Sequence, residues 1–352
     1  MPNATLARAI DALAQRRDLS ADEAGEVLAQ IMAGEAPDAQ IAGFLIALRT
    51  KGETVDELAG LARTMRELAV PVSVGRENLL DTAGTGGGRS TFNVSTTAAL
   101  IAAGAGCAVA KHGNRSATSR CGSADVLEAL GARIDLDPAA VAACIDETGF
   151  GFMFAPEHHR ATRHVMPVRR ELGVRTIFNF LGPLTNPAGA SRQLIGVADA
   201  SFQETIAGAL ARLGAERALV VSSEDGLDEI SIAAATKVVE VNGEQLTRYT
   251  LVPGEVGVQL AAAEPDLEAT AGADPEQNAN VTRAVLRGEP GPHSELAAIN
   301  AGAAIYAAGA ADSIAAGVAL ARAAIADGRA ETALERFVQA SVRYAPATAA
   351  TP

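Results

Sequence analysis

The apolar pattern of this sequence changes period near residue 71, and that change limits what the chain can fold into. Before it, the spacing is helical throughout. Ser20-Ala21-Asp22-Glu23 and Thr54-Val55-Asp56-Glu57 both have capping-box spacing, in which a hydroxyl and a carboxylate three residues on satisfy free N–H groups at a helix start. After the second box, Leu58, Leu61, Met65 and Leu68 recur at helical intervals and define one apolar face. Residues 1–70 are therefore expected to form a small all-helical domain, joined by helices from about 160–185.

Beyond residue 71 short apolar runs alternate with helical stretches. Leu79 to Thr82, Cys107 to Ala110, Phe152 to Phe154, Leu194 to Val197 and Ala218 to Val221 read as strands. Thr96 to Ala105, Ala124 to Leu130, Ala139 to Thr148 and Phe202 to Leu213 read as helices. Strand, loop and helix in rotation argue for a mostly parallel central sheet flanked by helices. The fold class is α/β, with the small helical domain joined to a larger α/β domain over residues 71–352. Around 236–251, KVVEVNGEQLTRYTL reads as a β-hairpin turning at Asn242-Gly243. The tail from about 275 is helical again. Within it the most apolar region, Ile299 to Ala326, is mostly Ala and Gly, is broken by Asp312, Ser313 and Arg322, and reads as buried helix.

Composition supports that class and removes others. At 352 residues, 48% of them apolar, the chain is long enough for two domains and a sizeable core. The net charge is −13 and Lys and Arg are not gathered into a basic run, so the footprint of a nucleic-acid binder is missing. Cys107, Cys121 and Cys144 show no metal-ligand spacing, and an odd, sparse count fits a reduced cytoplasmic protein. The first residues form an amphipathic helix without a signal-peptide pattern, and no apolar stretch is clean enough to span a bilayer, so no membrane partner is expected.

Four local features carry chemistry. Gly84-Thr85-Gly86-Gly87-Gly88 follows the first strand, and glycines let bare N–H groups approach an anion. A helix starting near Asn93-Val94-Ser95-Thr96 would add its dipole and free amides. A plain tight turn explains such a run nearly as often, but the hydroxyls and the Asn that follow tilt the balance towards phosphate. Lys111-His112-Gly113-Asn114-Arg115-Ser116-Ala117-Thr118-Ser119 places two cations, an amide and three hydroxyls after the second strand. Phosphate contact is favoured there over a solvated loop. Ser123, in GSAD, opens a helix and reads equally as an N-cap. Asp228-Glu229 follows the strand at 218–221, where carboxylates are well placed for Mg²⁺. Taken alone, that pair reads as an ordinary exposed acidic loop. His158, His159 and His164 do not have the spacing of a metal set, and a neutral wall or hydrogen-bonding role suits them better.

DTAGTGGG, TFNVST, AKHGNRSATS, GSADVLEALG, FAPEHH, MPVRRELGVRTIFNFLGPLTNP and DGLDE occur in this order. In them the chain resembles the anthranilate phosphoribosyltransferases, from about residue 5 to residue 345. The block from Arg169 to Pro187, with KHGNR, is the most specific part. The resemblance implies a helical domain joined to an α/β domain, as in pyrimidine nucleoside phosphorylases, and a homodimer built mainly through the helical domains. It implies Mg²⁺-dependent transfer of a phosphoribosyl group from PRPP to anthranilate, in tryptophan biosynthesis.

By the same resemblance, Gly84, Gly87, Thr91, Asn93, Ser95, Thr96, Lys111, Asn114, Arg115, Ser119 and Ser123 surround PRPP. Ser95 and Glu229 hold one magnesium, and Asp228 with Glu229 a second. Lys111, Asp228 and Glu229 form the catalytic group. Gly84, Asn114 and Arg169 meet anthranilate, Arg169 through its carboxylate, and His112, Pro156 and His159 shape the access channel. Family members usually read GTGGD with three residues before the TFN-like segment. Here Gly88 replaces the Asp, only Arg89 and Ser90 intervene, and Arg89 is expected to contact pyrophosphate.

Such parts support substitution at the ribose C1, with charge on the leaving pyrophosphate stabilised by magnesium and Lys111. An aromatic amine is neutral at physiological pH, so no strong general base is required. Two rivals remain. A nucleoside phosphorylase carries a lysine-serine signature that differs from KHGNR. A nucleic-acid-binding relative that has lost activity would prefer a basic surface and no acidic pair.

Overall fold

The structure, a computed structural model, describes residues 2–116, 120–258 and 270–346. Four helices open the chain: α1 (Ala4–Ala14), α2 (Ala21–Met32), α3 (Asp38–Lys51) and α4 (Val55–Glu67). Both expected capping boxes are formed, Ser20 with Glu23 and Thr54 with Glu57. Glu57 also ties the helices together, because its buried carboxylate takes the Leu19 N–H at 2.9 Å and the Lys51 ammonium at 3.0 Å. Leu58, Leu61 and Met65 are buried as expected, whereas Leu68 is 47% exposed. The helix stops at Glu67, which leaves Leu68 outside the stripe as the C-cap residue.

Seven strands form one sheet: β1 (Leu80–Gly84), β2 (Val109–Gly113), β3 (Phe150–Phe154), β4 (Arg192–Gly196), β5 (Arg217–Ser223), β6 (Thr236–Asn242) and β7 (Gln245–Leu251). Their order is β3-β2-β1-β4-β5-β6-β7. The first five run parallel and the last two antiparallel. Helices α5 (Val94–Gly104), α6 (Ser123–Ala129) and α7 (Pro138–Thr148) connect β1 to β3; α8 (Ala155–His158), α9 (Met166–Leu172) and α10 (Phe178–Leu184) lie between β3 and β4, and α11 (Gln203–Arg212) between β4 and β5. One apolar cluster runs from α1–α4 through Val165, Val168, Ile177 and Leu181 to Ile195 and Val220 on one sheet face. The other face packs against α5, α7 and the C-terminal helices.

One expectation about local structure is corrected. Asn242 pairs with Gln245, so the hairpin loop is Gly243-Glu244 and not Asn242-Gly243. Gly243 takes φ +56 at the first loop position, where a residue without Cβ is unstrained. The apolar stretch 299–326 is helical, as expected, and belongs to two helices, Pro292–Ala307 and Ile314–Ala326, with the break at Asp312 and Ser313. Ser313 caps the second through the Ala316 N–H. Their contact is close enough that a Cβ on Gly317 would stand 2.1 Å from the Gly302 carbonyl oxygen. No helix among the described residues is long and apolar enough to cross a membrane.

This strand order places the functional region. From β1 the chain moves outward through β2 and β3, then returns to the other side of β1 with β4. A crevice opens at such a switch point, outside the carboxyl ends of the strands.

Candidate active site

The glycine run leaves β1 at that crevice and is tied down at both ends. The Thr85 N–H donates to the Gly196 carbonyl at 2.9 Å, and the Arg89 N–H to the Gly226 carbonyl at 2.9 Å. Gly226 belongs to the loop after β5 that carries Asp228 and Glu229. That loop presses on β4, since a Cβ on Gly196 would stand 1.6 Å from the Asp228 carbonyl oxygen. The Gly86 N–H faces the Asp228 carboxylate and favours its charge. Two segments far apart in sequence thus form one unit.

Burial pushes the Asp228 carboxyl up, and the Gly86 amide and Arg175 oppose that rise. Glu229 is pushed up to about 8, first by burial and then by Asp228, with Lys111 and the Ser95 N–H pulling the other way. Lys111 is itself buried, donating to the Thr82 carbonyl at 2.6 Å and lying 3.4 Å from Ser95 Oγ. Burial pushes its ammonium down, while Asp81 and Glu229 support the charge. Among the described residues no group of three or more His, Cys, Asp or Glu side chains could hold a metal ion. Two carboxylates beside a serine hydroxyl nevertheless fit Mg²⁺, which takes one or two protein carboxylates and completes its shell with waters and substrate phosphate oxygens.

The remaining expected phosphate contacts lie around the start of α5 and the end of β2. Thr91 is half-buried. Asn93 is the N-cap residue of α5 and is held through its side chain by the Cys121 carbonyl at 3.2 Å and by Asn278 at 2.9 Å. Thr96 is fully buried, with a hydroxyl that has no hydrogen-bond partner among the described residues. Asn114 and Arg115 are exposed. Arg115 is held by Asp125 at 2.8 Å and by Glu128 at 2.5 Å, so those acids compete with an anion for it. Ser123 donates to the Asn114 carbonyl at 3.3 Å, which folds the start of α6 against this loop. Gly84 and Gly87 are exposed in the crevice, as is Arg89. Ser119 lies outside the described residues.

The residues expected at the access channel lie on the helical side of the sheet. His112 and His159 stand with ring centroids 5.0 Å apart, facing the Gly182 and Thr185 carbonyls respectively. Burial pushes His112 down to about 3 and His159 down to about 4, so both rings are neutral at pH 7. Pro156 is exposed on α8. Arg169, in the last turn of α9, lies over the Phe178 ring at 5.2 Å. Burial pushes its guanidinium down, and no carboxylate among the described residues offsets this.

The histidine pair makes stability depend on pH. Their folded pKa values lie below the unfolded value near 6.5, so the stability they allow is present above pH 6.5 and is lost as pH falls towards 4. Each ring that stays neutral while its unfolded counterpart protonates costs about 1.4 kcal/mol per pH unit. Melting temperature should therefore fall between pH 6.5 and 4, and His159→Gln should flatten that slope. An unchanged slope in the folded variant would refute the assignment.

The comparisons with known proteins show the family and the fold. Residues 7–69 match the Glycosyl transferase family, helical bundle domain, and residues 76–331 match the Glycosyl transferase family, a/b domain. The anthranilate phosphoribosyltransferase of Moorella thermoacetica is 52% identical, over 91% of this chain and 94% of its own length. That of Rubrobacter xylanophilus is also 52% identical, over 97% and 98%. The chain belongs to the anthranilate phosphoribosyltransferase family. In three dimensions it is similar to the family member from Thermus thermophilus, with a TM-score of 0.89 and 49% identity over 95% of this chain and 99% of that one. It is also similar to the Saccharomyces cerevisiae anthranilate phosphoribosyltransferase solved in complex with PRPP and Mg, with a TM-score of 0.88 and 26% identity over 97% and 99%.

Several residues at the site of this family member escaped the reading of its sequence. Asp81 is a buried carboxylate that takes the His112 N–H at 3.1 Å and the Asn186 side chain at 2.7 Å, and it supports the Lys111 charge. Thr82 supplies the carbonyl that anchors Lys111. Arg175 reaches the glycine loop from the connection between α9 and α10. An Asp within an apolar strand was the one available signal. For Thr82 and Arg175 the sequence carries none, because their partners are set by strand order.

Proposed function

We infer that this chain transfers the 5-phosphoribosyl group of PRPP to the amine of anthranilate, giving N-(5-phosphoribosyl)anthranilate and pyrophosphate, the second step from chorismate to tryptophan. One observation carries the reading: a glycine loop, a buried acidic pair and Lys111 meet at the crevice, while Arg169 waits on the helical side without a carboxylate partner among the described residues. PRPP lies along Gly84, Gly87, Thr91, Asn93, Ser95, Thr96, Lys111, Asn114, Arg115, Ser119 and Ser123, with Arg89 on its pyrophosphate. Ser95, Asp228 and Glu229 would hold magnesium, as two ions when PRPP is present. When bound, magnesium supplies positive charge against the phosphate oxygens of the leaving group.

The chain's own residues do the rest by placement. Lys111 sits beside Ser95 and Glu229, where it meets charge developing on pyrophosphate. Arg169 and Asn114, with Gly84, orient anthranilate so that its neutral amine faces C1. His112, Pro156 and His159 line its approach, and the two neutral rings add no charge that would hold the anthranilate carboxylate short of Arg169. Residues 1–70, extended by 160–185, act as the helical domain joined to the α/β domain of residues 71–352. Ile46 and Val174, large apolar side chains exposed on the helical side, suit a homodimer formed there, and we place the protein in the cytoplasm.

The test is loss of anthranilate fluorescence by purified protein with PRPP and Mg²⁺. Loss that requires both supports the reading; no loss from a folded protein overturns it. In the same assay Arg169→Ala should raise the KM for anthranilate about 100-fold, the effect of removing one side of a buried charge pair. The KM for PRPP should stay within about twofold, because Arg169 is assigned to the acceptor alone. Equal rises in both would remove that assignment.

A further inference from the structure

Arg175 belongs to the Arg169–Pro187 block, yet the PRPP and anthranilate contacts leave it without a part. It follows Gly173, which has φ +62 at the end of α9, and its side chain crosses to the glycine loop. There Nη2 donates to the carbonyl oxygens of Thr85, at 3.2 Å, and of Gly86. The guanidinium also covers Gly87, so that a Cβ there would stand 2.7 Å from Nη1. On its other side the Arg175 carbonyl oxygen accepts from Arg49 Nη1 at 2.8 Å. Arg49 lies in the last turn of α3. A short chain of hydrogen bonds therefore runs from the helical layer, through Arg175, to the loop after β1.

The consequence comes from peptide geometry. In a planar trans peptide the C=O of one residue and the N–H of the next point in opposite directions. Drawing the Thr85 and Gly86 carbonyls onto one guanidinium turns the Gly86 and Gly87 N–H groups away from it. The Gly86 N–H does point away, to the Asp228 carboxylate. Gly86 and Gly87 have φ +64 and +85, which glycine adopts without strain. Successive N–H groups presented to one side make a concavity for an anion.

We propose that Arg175 is a positioning residue: by holding the Thr85 and Gly86 carbonyls it sets the Gly86 and Gly87 amides for the pyrophosphate of PRPP, and Arg49 ties that hold to the helical layer. Arg175 acts through the loop and not by touching substrate. The Asp228 carboxylate faces the Gly86 amide, and magnesium-bound PRPP would take that N–H as the carboxylate turns to the metal. The inference rests on the PRPP reading, and its test separates the two.

The experiment titrates Mg-PRPP into the full-length protein by calorimetry and measures both KM values, for wild type, Arg175→Met, Arg175→Lys and Arg49→Met. Arg175→Met should weaken PRPP binding about 30-fold, the effect of losing a charged donor from two carbonyls, with the anthranilate KM within about twofold. Arg175→Lys should recover only part of the loss, because an ammonium keeps a donor for the two carbonyls but loses the planar guanidinium that covers Gly87. Arg49→Met, which leaves Arg175 in place, should cost about threefold and carries the test if Arg175→Met fails to fold. Wild type that binds no Mg-PRPP sinks the transferase reading and this inference together. Wild-type binding with unaffected variants, or variants that raise both KM values equally, sinks this inference alone.

Discussion

Replacing Asp228 with Asn and Glu229 with Gln together should lower kcat/KM by about 10³-fold or more while leaving the protein folded. Both replacements keep shape and an acceptor oxygen. The amide oxygen at position 228 can still face the Gly86 N–H, and that at position 229 the Ser95 N–H. Charge is what they remove. In the folded protein that charge is unfavourable: burial pushes both carboxyls up, and Asp228 adds to the cost at Glu229. Lys111 loses one supporting anion in the variant but keeps Asp81. Without magnesium the double variant should therefore melt at the same temperature as wild type or higher. Wild type should gain stability from Mg-PRPP by mass action, and the variant should lose most of that gain. Lost activity with unchanged or increased stability would mark the pair as held for the reaction against its own electrostatic cost. Activity within about tenfold of wild type, or an undiminished response to magnesium, would remove the pair from the mechanism.

The parts of this site that could be read from sequence are those whose meaning is local. A glycine run after a strand, a Lys-His-Gly-Asn-Arg segment and an acidic pair each carry their chemistry in adjacent residues. Their couplings do not. Asp228 meets Gly86, Glu229 meets Ser95 and Arg175 meets Thr85 only because the strand order puts β4 beside β1 and β5 next to β4. Arg115 shows the limit in another way. Its residue type suits phosphate, but Asp125 and Glu128 from α6 hold it, and both lie outside the segment that identified it. The alternation of strands and helices was legible because parallel strands buried on both faces are nearly continuous apolar runs. The stretch 299–326 was legible as helix, and Asp312 and Ser313, which interrupt it, fall between its two helices. The hairpin loop moved by one residue because cross-strand pairing set its register, with the glycine at its first position.

Gly88→Asp introduces the residue that the resemblance implies at this position, yet here it should weaken PRPP binding by about 10- to 100-fold. A Cβ at position 88 would stand 2.7 Å from Asp228 Oδ1 and 3.0 Å from both the Asp228 nitrogen and the Gly226 carbonyl oxygen. The first neighbour is a side-chain end and can turn. The other two are backbone, and the Gly226 carbonyl is already fixed by the Arg89 N–H at 2.9 Å. A loop one residue shorter than the resemblance implies would bring these segments this close, so the missing side chain and the missing residue would belong together. A carboxylate there would also stand beside Asp228, whose own charge is already disfavoured by burial. Gly88→Ala separates the two effects and should cost about tenfold from crowding alone, with the Asp variant losing more through like charge. Inserting one residue after Arg89 in the Gly88→Asp background should relieve the crowding and return most of the affinity. Tighter Mg-PRPP binding by Gly88→Asp alone would show that the loop has room for the side chain, and that Gly88 is a loss rather than an adaptation to the short loop.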